Sequence, residues 1–166
     1  MPLIDPNNKP KQLDSPIVSK IIRLGSRAHT AVYKATGGRV GETWRIGAGL
    51  KKPAPVCLLT TIGRKSGQPR TAPLIYLRKG DTFVVVASQG GSAKHPAWYL
   101  NLRENPEVTI QLGKKTFDLV ARTASDAERE ELWPELVKVY EDYDTYAAWT
   151  DRKIPVVICE PRGAGR

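Results

Sequence analysis

The sequence predicts an α+β protein built on an antiparallel β-barrel. Three observations carry this. Six short strand-like runs follow one another between Val56 and Glu160, mostly in hairpin order. The helical stretches are few, and most interrupt the hairpins only briefly. No GxGxxG opens a strand–helix–strand unit, which argues against a doubly wound nucleotide-binding sheet.

The elements follow in order. Residues 1–14, MPLIDPNNKPKQLD, lack the apolar stretch of a secretory signal and read as a flexible N-terminal arm. Residues 15–166 form one domain, which opens with a helix over 15–36. Ser15 can cap it, Pro16 suits its first position and Gly37-Gly38 stops it. Ile17, Ile21, Leu24, Ala28, Ala31 and Ala35 recur near helical spacing, accompanied by Lys20, Arg23, Arg27 and Lys34. Such a helix either packs on the core with a solvated basic face or lies on an anionic membrane surface. Residues 39–55, rich in Gly and Pro, read as loop. Strands follow at Val56–Ile62, Arg70–Lys79 and Thr82–Ser88, the last two joined by Gly80-Asp81. Pro73 implies an edge, a bulge or a strand start at its position. Pro96–Arg103 reads as a short helix. Glu107–Leu112 and Lys115–Thr123 form a hairpin around Gly113-Lys114. A longer helix opens at Ser125-Asp126-Ala127-Glu128 with a capping box, and Pro134 inside it predicts a kink or restart. Ile154–Glu160 is the last strand.

With 166 residues, 40% hydrophobic and 26% charged, the chain can bury a real core. It has no run of about 18 apolar residues, so a cytoplasmic location is expected. Cys57 and Cys159 sit in apolar strands and read as buried free thiols. With only His29 and His95 and no CxxC, no metal site is expected. No GxSxG and no paired carboxylates suggest catalysis by side chains alone, so a bound cofactor fits better. Charge is lopsided. Residues 1–79 carry 15 Lys and Arg against 3 Asp and Glu, a net of +12. Residues 80–166 carry 11 against 14, a net of −3. The basic half calls for an anionic partner: nucleic acid, membrane or cofactor.

The loop GRKSGQPR, residues 63–70, concentrates Arg64, Lys65 and Arg70 at one turn. Backbone N–H groups and cations so placed suit a phosphate or polycarboxylate. Read alone, it fits a hairpin turn with solvated charges equally well. Two other segments stand out: VASQGGSAKHPAWYLNL, 86–102, and WPELVKVYEDYDTYAAWTDRKIPVVICEP, 133–161. Alone, Gly90-Gly91 is a loop, Trp98 and Leu102 are a core stripe, and Asn101 ends a helix. Tyr140, Tyr143 and Tyr146, three apart, are neighbours on a helix or turn.

In combination, GRKSGxPR, SxGGxxxxPxWYxNL and the tyrosine segment closely resemble the deazaflavin-dependent nitroreductase family. These are split β-barrel oxidoreductases, similar in fold to flavin-binding pyridoxamine-phosphate-oxidase-like barrels, that use coenzyme F420. The resemblance covers residues 15–161. It implies hydride transfer from the reduced deazaflavin to quinones, enones or nitroaromatics. It places Arg64, Lys65, Ser66 and Arg70 at the cofactor's phosphate and glutamate tail. Thr71, Ala72, Pro73, Leu74 and Ile75 become a wall beside the ring. Val86, Ala87, Ser88 and Gln89 run under it, and Gly90 and Gly91 permit close approach. Ala97, Trp98, Tyr99, Leu100 and Asn101 close the site. Tyr140, Tyr143 and Tyr146 line the acceptor pocket, with Tyr143 and Ser88 as catalytic candidates that orient or protonate the acceptor. His95 precedes a proline and lacks an orienting carboxylate nearby in sequence, so it is not expected to be catalytic. Ile75 stands where some members have an aromatic and Gln89 where some have lysine, which bears on acceptor preference.

Two rival readings remain at this point. A barrel using flavin mononucleotide needs less positive charge for its single phosphate. A nucleic-acid-binding barrel needs aromatics among the cations, and residues 51–79 contain only Tyr76. The partners expected are therefore a small-molecule electron acceptor and, through the first helix, an anionic membrane on the cytoplasmic side.

Overall fold

A computed structural model describes residues 5–45 and 47–162. Seven strands are β1 (Thr43–Trp44), β2 (Ala54–Ile62), β3 (Pro69–Lys79), β4 (Thr82–Val86), β5 (Glu107–Leu112), β6 (Lys115–Thr123) and β7 (Val156–Pro161). Four helices are α1 (Pro16–Thr36), α2 (Ala97–Glu104), α3 (Asp126–Val139) and α4 (Asp142–Ala148). The sheet runs β1-β2-β3-β4-β7-β6-β5, and β5 returns to pair with β2. That pairing closes six strands into an antiparallel barrel, with β1 added to the outside of β2.

The strand period of two sorts side chains between two apolar layers. Cys57, Leu59, Phe83, Val85, Ala87, Val108, Ile110, Leu119, Val157 and Cys159 fill the barrel, with Trp98, Tyr99 and Leu102 of α2 plugging it. Val84, Val86, Ile158 and Val156 face outward, against Leu132 and Leu136 of α3 and Tyr140 and Tyr143 at α4. Each fully buried aliphatic side chain contributes about 1.5–3 kcal/mol of transfer energy. Both cysteines are free and buried, and burial pushes both thiols up, Cys159 to about 12.

The helix starts and stops follow the sequence signals. The Ser15 side chain accepts from the Val18 N–H, Pro16 occupies the first turn and Gly37 closes α1 in the left-handed region. Ser125 and Glu128 form the expected capping box. Pro73 lies on an edge: β3 pairs with β4 only from Tyr76 onward, so Pro73 pairs with β2 alone. Three expectations need correction. The loop expected over 39–55 contains β1 and a short 3-10 turn over Gly47–Leu50. The strand expected from Ile154 starts at Val156. Of the kink or restart expected at Pro134, the restart does not occur: α3 is continuous from Asp126 to Val139. Pro134 is exposed, so water can satisfy the carbonyl it leaves unpaired.

α1 is tied down near its C-terminal end. Tyr33 is fully buried and its hydroxyl accepts from the Gly113 N–H at 2.8 Å. His29 Nε2 contacts the Gly41 carbonyl at 2.7 Å. Further toward the N-terminus, Ile17, Ile21 and Leu24 are 72%, 65% and 70% exposed.

Candidate active site

The basic loop between β2 and β3 is a built turn. The Gly63 N–H donates to the Gln68 carbonyl, and the Gly67 N–H donates to the Gly63 carbonyl, both at 2.8 Å. Ser66 Oγ accepts from the Gln68 N–H at 3.2 Å and from Arg70 Nη2 at 3.4 Å. Asn101, 4% exposed on α2, bolts the loop to the barrel. Its Oδ1 accepts from both the backbone N–H and Nη1 of Arg64, each at 3.1 Å, and its Nδ2 donates to buried Thr61. Arg64, Lys65 and Arg70 are exposed, and none joins an ion pair among the described residues. Three uncompensated cations thus sit on a preformed turn, with Arg64 aimed by Asn101.

The second element is the turn between β4 and α2. Ser88 is 8% exposed. Gln89 has φ +44°, Gly90 +62° and Gly91 +79°. A non-glycine residue held in this region costs about 1 kcal/mol or more and persists only where its surroundings enforce it. The enforcer here is Arg152. Its Nη2 donates to the Ser88 carbonyl at 2.8 Å, Nε to the Ser92 carbonyl at 2.9 Å and Nη1 to the Ala87 carbonyl at 3.1 Å. Nη1 also lies 3.0 Å from His95 Nδ1, which must accept because guanidinium only donates. Burial and the Arg152 charge lower the His95 pKa, which favours a neutral ring. Asp14 holds the far end of the turn, accepting from Ser92 Oγ and the Ala93 N–H, both at 2.8 Å. The hydrogen bond from Lys9, with those from Ala93 and Ser92, holds its carboxyl down at about 2.

α2 links the two elements. It starts at the end of the glycine turn, and one helical turn, about 6 Å, separates Ala97 from Asn101.

The third element is the tyrosine face. Tyr140, Tyr143 and Tyr146 share one outer-layer cluster with Val86, Ile75 and Leu77. The Tyr140 and Tyr143 rings meet edge-on at 5.3 Å. The Tyr140 hydroxyl accepts from Trp44 Nε1 at 3.3 Å and pairs with the Tyr146 hydroxyl at 3.2 Å. Burial raises the pKa of all three hydroxyls. α4 also packs on the glycine turn: a Cβ added at Gly91 would lie 3.0 Å from the Tyr146 carbonyl oxygen.

The residues read from the sequence therefore divide. Ile75 and Val86 join the three tyrosines on the outer face, and Ser88 is buried at the start of the glycine turn. Ala72, Leu74, Ala87, Trp98, Tyr99 and Leu100 point into or against the barrel interior, so their side chains brace the site. Thr71 is bonded across the ladder to Thr60 at 2.8 Å. Pro73 is half-buried beside them, and Ala97 is exposed. Asn101 and Ser66 spend their polar atoms holding the loop in shape. Sequence reasoning missed Arg152, Asp14 and Trp44. Each acts across 60 or more positions, and no local pattern marks it. A shallow groove of about 650 Å³, lined by Lys34, Arg39, Gln111 and Lys114 among others, shares none of these residues.

Comparison with known proteins identifies the family. The family model for F420H(2)-dependent quinone reductase matches residues 25–161. An F420H(2)-dependent quinone reductase of Mycobacterium tuberculosis is 38% identical over 139 residues, 82% of this chain and 89% of its own. A relative from the same organism carrying the same family name is 46% identical over 118 residues, 71% of this chain and 99% of its own. Among solved structures, an F420-H2 dependent reductase superposes with a TM-score of 0.60 at 44% identity. It covers 64% of this chain and 94% of that one. A domain-swapped dimer superposes at 0.63 and 35% identity, over 86% of this chain and 98% of that one. The fold expected from the sequence is the one observed, a barrel of the reductase type. The chain belongs to the F420H(2)-dependent quinone reductase family.

Proposed function

We propose that the exposed turn 63–70 and the glycine turn 87–95 together form the cofactor site, and that the outer tyrosine face receives the acceptor. The family membership makes the protein an F420H2-dependent oxidoreductase with coenzyme F420 as its cofactor. Reduced F420 supplies a hydride, and the quinone takes that hydride and a proton to become the hydroquinone. The residues present fit an anionic group. Arg64, Lys65 and Arg70 hold the phosphate and tail carboxylates, Arg bidentately and Lys as a point charge. Ser88, Gln89 and Gly90 offer backbone groups at a turn whose shape is already enforced. Gly91 brings α4 against that turn. Tyr143 and Ser88 are the candidate hydroxyls for orienting the acceptor and delivering the proton. Nitroaromatics and enones belong in the same acceptor class, because all gain negative charge on oxygen as hydride arrives.

The observation that carries the cofactor assignment is the set of three cations without carboxylate partners, one of them aimed by Asn101. Arg64→Ala, Lys65→Ala and Arg70→Ala should each weaken F420 binding by about 1–3 kcal/mol, typical of charge-assisted hydrogen bonds. The loss should shrink at high salt, because part of the attraction is screened. Fluorescence titration with F420, and with flavin mononucleotide for comparison, reads this directly. Unchanged F420 affinity in all three variants refutes the tail site, and tighter binding of flavin mononucleotide refutes the cofactor.

α1 adds a location. Its exposed Ile17, Ile21, Ile22 and Leu24 lie among Lys20, Arg23 and Arg27, and the helix contains no acidic residue. Among the described residues, no helix is long and apolar enough to cross a membrane. An amphipathic basic helix of this kind suits the surface of an anionic bilayer, where a lipid-soluble quinone also resides. The intact protein should float with anionic liposomes at low salt, less so at high salt. Ile21→Asp with Leu24→Asp should abolish flotation. A wild-type protein that stays in the soluble fraction at low salt rules this location out.

A further inference from the structure

We infer that Asp14 and Arg152 are positioning residues of the cofactor site, which together clamp the glycine turn 87–95. The inference rests on the reading of that turn as part of the F420 site.

The turn has reason to need a clamp. Gln89, Gly90 and Gly91 all sit at positive φ, and Gln89 does so without a glycine's freedom. No regular ladder holds the segment, because β4 ends at Val86 and α2 begins only at Ala97. The pairing of β4 with β7 ends at Val86 opposite Val156. Beyond the Ala87 N–H, which donates to the Pro155 carbonyl at 2.9 Å, the turn's outward bonds depend on side chains from elsewhere.

Arg152 supplies most of them. Its guanidinium bridges the carbonyls of Ala87, Ser88 and Ser92 and the imidazole of His95. One rigid planar fork thus fixes both ends of the turn relative to each other. Lysine, with a single nitrogen, cannot span those four acceptors. Asp14 holds Ser92 through different atoms, Ser92 Oγ and the Ala93 N–H. Ser92 is therefore gripped twice: its carbonyl by Arg152 and its hydroxyl by Asp14. The two clamping groups carry opposite charge: burial lowers the Arg152 pKa, and the Asp14 carboxylate offsets part of that. Arg152 presents its donors to the turn's carbonyls, so any ligand on the opposite edge meets a surface whose dipoles are already oriented. Asp14 immediately precedes Ser15, the cap of α1, so the same bond anchors the start of the basic helix to the turn.

The test compares F420 affinity with stability in the full-length protein. Wild type, Arg152→Gln, Arg152→Lys, Asp14→Asn and Tyr33→Phe are titrated with F420 by fluorescence and melted without it. The buried Tyr33 hydroxyl accepts from the Gly113 N–H, bonds to none of residues 87–95 and serves as a control for general loss of stability. Arg152→Gln should raise the Kd for F420, and the KM for F420H2 with menadione, about tenfold or more. Arg152→Lys should recover part of that loss, and Asp14→Asn should raise both values about threefold. At saturating cofactor, kcat should fall by a smaller factor than KM rises. Tyr33→Phe should lower Tm and leave the Kd unchanged. If Arg152→Gln does not fold, Arg152→Lys and Asp14→Asn decide. Variants at 14 and 152 that bind F420 within twofold of wild type overturn the clamp, as does an equal Kd change in Tyr33→Phe. A wild type that does not bind F420 overturns the cofactor site itself, and the clamp with it.

Discussion

Tyr143→Phe lowers kcat/KM for a quinone acceptor by about 10- to 1000-fold and leaves F420 affinity within about twofold of wild type. The range spans a hydroxyl that only orients the acceptor and one that delivers its proton. Tyr143 is 4% exposed, with its ring against Tyr140 and Trp133. Burial raises its pKa far above any working pH, so the group stays a neutral O–H donor. A neutral donor costs less to bury than a charge, and it strengthens as the acceptor oxygen becomes negative. The phenylalanine variant keeps the ring and its packing, so its fold should be intact. Tyr140→Phe differs, because that hydroxyl accepts from Trp44 and pairs with Tyr146. Its main effect should be a stability loss of about 1 kcal/mol, with a smaller change in rate. Steady-state rates with one quinone and one enone, beside an F420 titration, separate the cases. Wild-type turnover of both acceptors by Tyr143→Phe removes the hydroxyl from the chemistry and leaves Ser88 or solvent to deliver the proton.

Much of the barrel was legible because its signals are local. Gly80-Asp81 and Gly113-Lys114 are two-residue turns between alternating apolar runs, and each joins the strands it predicts. Ser15 with Pro16, and Ser125 with Glu128, are start signals that operate over three residues. Thr43-Trp44 was not legible. Two residues show no alternation, and their pairing with Ala54 and Pro55 is a tertiary matter. The restart at Pro134 fails for a related reason, since its cost depends on which side of the helix faces water. At the site, the motif marks three segments but not the division of labour within them. Ile75 and Leu74 are adjacent in sequence and lie on opposite faces of β3, one among the tyrosines and one toward the barrel interior. The motif groups Asn101 with residues that touch the cofactor, and the fold adds that its amide bonds Arg64 and Thr61. Arg152 lies six positions beyond Tyr146 in an unremarkable Asp-Arg-Lys run. Only the fold shows that one cation there meets three carbonyls of a segment about sixty residues earlier.

Gly91→Ala costs two to three times the stability of Gly90→Ala, although the two glycines are neighbours in one turn and both sit at positive φ. At Gly90, φ is +62° and an added methyl meets nothing within 4 Å. The variant there carries only the backbone penalty, about 1 kcal/mol, which for a chain of this length is a Tm loss of about 2–4 °C. At Gly91, φ is +79° and the methyl would lie 3.0 Å from the Tyr146 carbonyl oxygen and 3.1 Å from the Trp149 ring. Those neighbours belong to α4 and its C-cap, so relief requires the helix to move by a few tenths of an ångström. That adds about 1–2 kcal/mol to the backbone penalty. The movement also displaces the element that carries Tyr143 and Tyr146. Gly91→Ala should therefore lower kcat/KM for quinone at saturating F420H2 more than Gly90→Ala does. Thermal melts without cofactor, followed by quinone kinetics at saturating F420H2, distinguish the two. Equal Tm shifts for the pair would mean that α4 does not press on Gly91, and the coupling between the glycine turn and the acceptor face would have to be abandoned.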